Sequence, residues 1–97
     1  MANICDNNLY SYVEDEDNYK YIIKFLEKKL DANIYEQDGT TIEADFESKW
    51  TFPESLMQEL YDNMPNKDDI YIRVLSVEYG MFYHALWVCD EDGWTEK

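Results

Sequence analysis

Ninety-seven residues make one domain, because a second hydrophobic core would not fit in that length. Apolar residues supply 45% and aromatic residues 16%, which excludes a disordered chain. With 22 Asp and Glu against 8 Lys and Arg, the net charge of −14 argues against direct binding to DNA, RNA or anionic membranes and points to basic partners, or to a well-solvated acidic surface.

In chain order, residues 3–13 alternate as a first strand, with Leu9, Ser11 and Val13 on one face and Tyr10 and Tyr12 on the other. Glu14, Asp15, Glu16 and Asp17 then precede Tyr19, Ile22, Ile23, Leu26 and Leu30, which share one helical face. The acids stand at the start of that helix and Lys24, Lys28 and Lys29 towards its end, as the helix dipole favours, so capping accounts for much of the acidic run. Residues 33–37 and 40–47 flank Asp38-Gly39 and predict a hairpin. In its second strand Ile42, Ala44 and Phe46 alternate with Glu43, Asp45 and Glu47, and the alternation stops at Trp50, which reads as buried.

A second helix is expected over 53–64. Thr51 and Glu54 fit a capping box, Pro53 sits in the first turn, and Leu56, Met57, Leu60, Tyr61 and Met64 recur at helical spacing until Met64-Pro65 ends the run. After a polar turn over 66–69, residues 70–79 form a strand, Gly80 turns, and residues 81–89 return with Tyr83, Ala85, Trp87 and Cys89 on one face. Residues 90–93 close the chain. The order β-α-β-β-α-β-β predicts an α+β fold, a ferredoxin-like two-layer sandwich with two helices on one face of an antiparallel-rich sheet.

Catalytic parts are sparse. His84 is the single histidine, in mid-strand, and no Ser-His or Cys-His pattern accompanies it, so no catalytic residue is assigned and no enzyme is expected. Cys5 and Cys89 have neither metal nor redox spacing and read as reduced core thiols, in first and last strands that a sheet could make neighbours. Residues 90–93 lack the ligand positions of a calcium loop, and phosphate-loop and zinc spacings are absent, so no metal or cofactor is expected. With no leader and no membrane-length apolar run, a cytoplasmic location is expected.

Binding surfaces are better supplied. The ladder Glu43, Asp45 and Glu47 puts three carboxylates on one strand face at steps of about 6.5–7 Å, near the phosphate spacing of a nucleic-acid strand. With Glu14, Asp15, Glu16, Asp17, Asp68 and Asp69 it forms the candidate contacts for a basic partner. Tyr71, Tyr79, Tyr83 and Trp87 are candidates for an aromatic sheet face; stacking bases there is opposed by the charge, which leaves a protein interface or core packing.

Several short motifs together resemble the YubB-type ferredoxin-like proteins of plasmids and phages: Met1-x-Asn3 with Asn7/Asn8-Leu9, Trp50-Thr51-Phe52-Pro53 ahead of Met64-Pro65, and the strand at 70–79 followed by Gly80, Phe82 and Asp92-Gly93. Phe52 stands where that family has the first of two prolines. The resemblance implies a ferredoxin-like fold and a mobile-element origin, and supplies no catalytic residues. In size and charge the chain is also similar to phage inhibitors of anti-CRISPR or anti-restriction type. The expected function is a non-enzymatic inhibitor whose carboxylates occupy the nucleic-acid site of a basic host protein or ribonucleoprotein in the bacterial cytoplasm. The alternative is a small interaction or regulatory module, such as a homodimer, that uses Tyr83 and Trp87 on an aromatic sheet face. A carboxylate-based enzyme or metal binder stands third.

Overall fold

Period-two and period-3.6 patterning resolve into eight elements in a computed structural model that describes residues 4–49, 51–80 and 83–97. They are β1 (Ile4–Tyr12), α1 (Glu16–Lys29), β2 (Asn33–Gln37), β3 (Thr41–Lys49), α2 (Glu54–Asp62), β4 (Ile72–Glu78), β5 (Tyr83–Asp90) and β6 (Gly93–Glu96). Trp50, Phe82 and the Met1-x-Asn3 motif lie outside the described residues.

All strand pairings are antiparallel, and the strands line up as one six-stranded sheet in the order β2-β3-β1-β4-β5-β6. This corrects the expected ferredoxin-like sandwich of order β-α-β-β-α-β-β: the observed order is β-α-β-β-α-β-β-β, and both the element order and the strand order differ from it. Part of the reason lies at residues 90–93. The Asp90 carboxylate accepts the Asp92 N–H (2.9 Å), and Gly93 takes φ +101°, a region costly for residues with a side chain. The chain therefore reverses instead of ending, and β6 pairs with β5.

Alternation places the core. Leu9 of β1, Ile42, Ala44 and Phe46 of β3, Ile72 and Val74 of β4 and Cys89 of β5 are buried in one cluster with Ile22, Phe25 and Leu26 of α1 and Met57 and Leu60 of α2. Both helices therefore lie on the same sheet face, and the opposite face is left uncovered.

The loops are held by polar side chains. Asp15 is the N-cap of α1 and accepts the Asn18 N–H (3.0 Å), while Asp69 Oδ2 accepts the N–H groups of Glu14 (2.8 Å) and Asp15 (2.6 Å). Asn18, fully buried, donates from Nδ2 to Asn66 O (2.7 Å) and Asp69 O (2.8 Å) and accepts the Asn66 N–H (2.8 Å), tying α1 to the loop before β4. The expected capping box at α2 does not form: Pro53 is the N-cap, with no side-chain cap bond, and the Thr51 hydroxyl donates to Phe52 O (3.4 Å) instead. Asp38 caps the β2–β3 turn by accepting from the N–H groups of Thr40 (3.0 Å) and Thr41 (2.7 Å), and Gly39 takes φ +104°.

Candidate functional site

The uncovered sheet face is built by residues that alternate with the core. It carries Asp6, Asn8 and Tyr10 from β1; Glu43, Asp45 and Glu47 from β3; Arg73, Leu75 and Val77 from β4; and His84, Leu86 and Val88 from β5. Cross-strand register sets these in rows: Glu47 beside Asp6, Val77 and His84; Asp45 beside Asn8, Leu75 and Leu86; Glu43 beside Tyr10, Arg73 and Val88. The face is thus acidic along the middle of β3 and the near end of β1, with Lys49 at the end of β3, and mostly apolar across β4 and β5, where Arg73 and His84 are the basic residues.

The ladder holds together as a unit. Glu43, Asp45 and Glu47 share this face, and Glu36 of β2 stands directly opposite Glu43. Asn8 Nδ2 donates to Asp45 Oδ1 (2.8 Å) and to the Tyr35 hydroxyl (2.7 Å), fixing the middle carboxylate. Among the described residues the ion pairs are Lys20–Glu16 (2.8 Å) and Lys29–Glu59 (3.4 Å), neither of which involves the ladder. Arg73 lies with its guanidinium carbon 4.9 Å from the centre of the Tyr10 ring.

The other sequence-predicted acids stand elsewhere. Asp15 and Asp69 are engaged in the α1 cap, where the side-chain bond from Asn66 and the Asn18 N–H lower the Asp15 pKa. Glu16 pairs with Lys20 on the exposed surface of α1, and Glu14, Asp17 and Asp68 are exposed beside the same cap. These six do not join the ladder on the sheet face.

The expected aromatic face divides. Tyr71 and Tyr79 are on the uncovered side, with Tyr79 74% exposed. Tyr83 and Trp87 face the helices: the Phe52 N–H meets the Tyr83 hydroxyl (3.5 Å), and Phe52 stacks on Trp87 (4.6 Å between centroids, 8° between planes) and meets Trp94 edge-on at 5.3 Å. In β5 both faces are apolar, so sequence alone gave no sign of which one the helices cover.

Asp6 and Asn8 were missed by sequence reasoning, although their alternation with buried Cys5, Asn7 and Leu9 is the signal that finds them. Cys5 and Cys89 are buried free thiols. Both face the core, but Cys5 stands opposite Ser48 while Cys89 stands opposite Ile72, whose partner is Ser11, six residues further along β1; that separates them by about 20 Å. Burial raises both pKa values, that of Cys89 to about 12. No group of three or more His, Cys, Asp or Glu among the described residues is arranged to hold a metal ion, and no helix there is long and apolar enough to cross a membrane.

Compared with known proteins, the chain matches no family model, no curated sequence and no solved structure.

Proposed function

We propose that this protein is a non-enzymatic binding protein of inhibitor type, whose acidic sheet face occupies a basic nucleic-acid-binding site on another protein and keeps DNA or RNA out. The observation that carries the reading is the placement of Glu43, Asp45 and Glu47 on an uncovered face beside Asp6, with no ion pair to the ladder among the described residues. A strand spaces such carboxylates at about 6.5–7 Å, so they present a row of negative charge to a groove that otherwise receives phosphates. The small size and net charge of −14 support an anti-CRISPR or anti-restriction type within that class.

The test is capture from nuclease-treated bacterial lysate with the tagged protein, followed by elution with DNA or RNA. Nucleic-acid-binding proteins that are released by nucleic acid and by salt, and that are not captured by the Glu43→Lys/Asp45→Lys/Glu47→Lys variant, support the reading. Equal capture by that variant refutes it.

A second reading is favoured by Leu75 (47% exposed) and Tyr79 on the same face: an interaction module that self-associates through its apolar half. Sedimentation would then show a dimer that Leu75→Asp dissociates.

A further inference from the structure

Resting on the reading that the uncovered face binds a basic protein, its shape narrows what part of that protein it holds. A groove of about 700 Å³ lies mainly on this face and reaches Leu30 at the end of α1 and the core-facing Phe46. Its carboxylates are Asp6, Asp31, Asp45 and Glu47, and no Lys, Arg or His lines it. Leu75 and Val77 supply apolar lining, and Tyr79 stands at the margin. Asp31 adopts φ +49° just after the C-cap of α1, a conformation Asp tolerates better than most residues, and this brings a fourth carboxylate to the rim ahead of β2.

We propose that this groove is the docking surface for an arginine-bearing segment of the protein partner. Guanidinium groups lie against Asp6, Asp45 and Glu47 and over the Tyr79 ring, and their methylene stems rest on Leu75 and Val77. Charge complementarity names the sign of the occupant: the lining holds four carboxylates and no basic side chain. The apolar lining suits a cation that carries a hydrocarbon stem, which nucleic acids and simple cations lack.

Arginine is favoured over lysine on two grounds. A planar guanidinium pairs bidentately with carboxylates and stacks on rings, whereas an ammonium is a strongly hydrated point charge. The face already uses this contact within the chain, where Arg73 lies over Tyr10 at 4.9 Å. Asp45 is also oriented in advance by Asn8, so its lone pairs need little reordering when a partner arrives.

The experiment uses the full chain and fluorescent peptides that alternate Ala with Arg, Lys or Glu, read by anisotropy at low and at moderate salt. The expected result is saturable binding of the arginine peptide and several-fold weaker binding of the lysine peptide. Asp45→Asn/Glu47→Gln should weaken the arginine peptide by about tenfold, through loss of charge-assisted hydrogen bonds. Glu27→Gln/Glu91→Gln, which removes the same charge away from the groove, should change it less than about twofold, as expected for a screened distant field. Tyr79→Ala should narrow the difference between arginine and lysine.

Equal weakening by the two double variants would overturn the proposal by showing a general field and no groove. Equal affinity for arginine and lysine peptides would overturn it as well. So would absence of peptide binding in a chain that sediments as a dimer, since a second copy would then cover the face. If the groove binds the arginine peptide but the protein does not compete with nucleic acid, the groove stands and the inhibitor reading falls. If competition occurs and both double variants impair it equally, the inhibitor reading stands and the groove falls.

Discussion

Asn18 shows how much of this fold depends on single polar side chains. It is fully buried and satisfies three backbone groups of the loop before β4. Asn18→Ala removes all three bonds, leaving Asn66 O only the longer bond from the Asp69 N–H (3.4 Å), and a loss of about 3 kcal/mol is expected in urea unfolding. Asp15 beside it is exposed to titration, and its folded pKa lies below the ordinary 3.8, held down by Asn66 and by the Asn18 N–H. Its contribution is therefore present above the ordinary carboxylate pKa and lost as pH falls through the depressed value. Wild type and Asp15→Ala should differ in Tm at neutral pH and converge in strong acid. At the other end of the scale, the Cys89 pKa is raised from 9.0 to about 12, so the stability tied to the neutral thiol is complete below pH 9.0 and falls as pH rises towards about 12. A thiol reagent at pH 8 should label neither cysteine until the protein unfolds. The cap at Asp15 was legible because its determinants are adjacent in sequence. The role of Asp69, which closes the same cap from 54 residues away, was not, because no local pattern encodes a contact at that range.

Among the elements, β6 is the one that propensity did not find. It has four residues, too few for alternation to register, and its place depends on Trp94, whose Nε1–H donates to Met57 O (2.7 Å) while its ring meets Phe52. Gly93 makes the reversal possible at φ +101°. Gly93→Ala should cost about 1–2 kcal/mol by thermal unfolding, from backbone strain, because the added methyl would meet the Tyr61 ring at an ordinary 3.8 Å. The other five strands and both helices were legible from their periods. Their order in the sheet was not, since β1 takes β3 and β4 as its two neighbours and no strand records its partners in its own residues. The aromatic face failed for a related reason: β5 is apolar on both sides, so the side covered by helices is decided by packing, and that side took Tyr83 and Trp87. The ladder was legible because β3 is apolar on one side only.

For the molecule as a whole, charge is the governing quantity. A net −14 on 97 residues sets like charges against each other throughout the folded surface. Raising salt shortens the screening length to about 10 Å at 0.1 M and below that at higher concentration. Tm should therefore rise between low salt and physiological salt, measured by circular dichroism. A falling Tm would mean that the two surface ion pairs outweigh the repulsion, against their small expected worth. The same screening should weaken any partner held by the ladder, so stability and binding respond to salt in opposite directions.

Because both helices lie on one side of the sheet, each central strand carries two messages interleaved at every second residue. Cys5, Asn7, Leu9 and Ser11 specify how the chain packs, while Asp6, Asn8 and Tyr10 between them are read only from outside. Substitutions in the second set should leave the interior packing unchanged. One side of such a sheet can be rewritten one residue at a time while the side that folds the chain stays fixed.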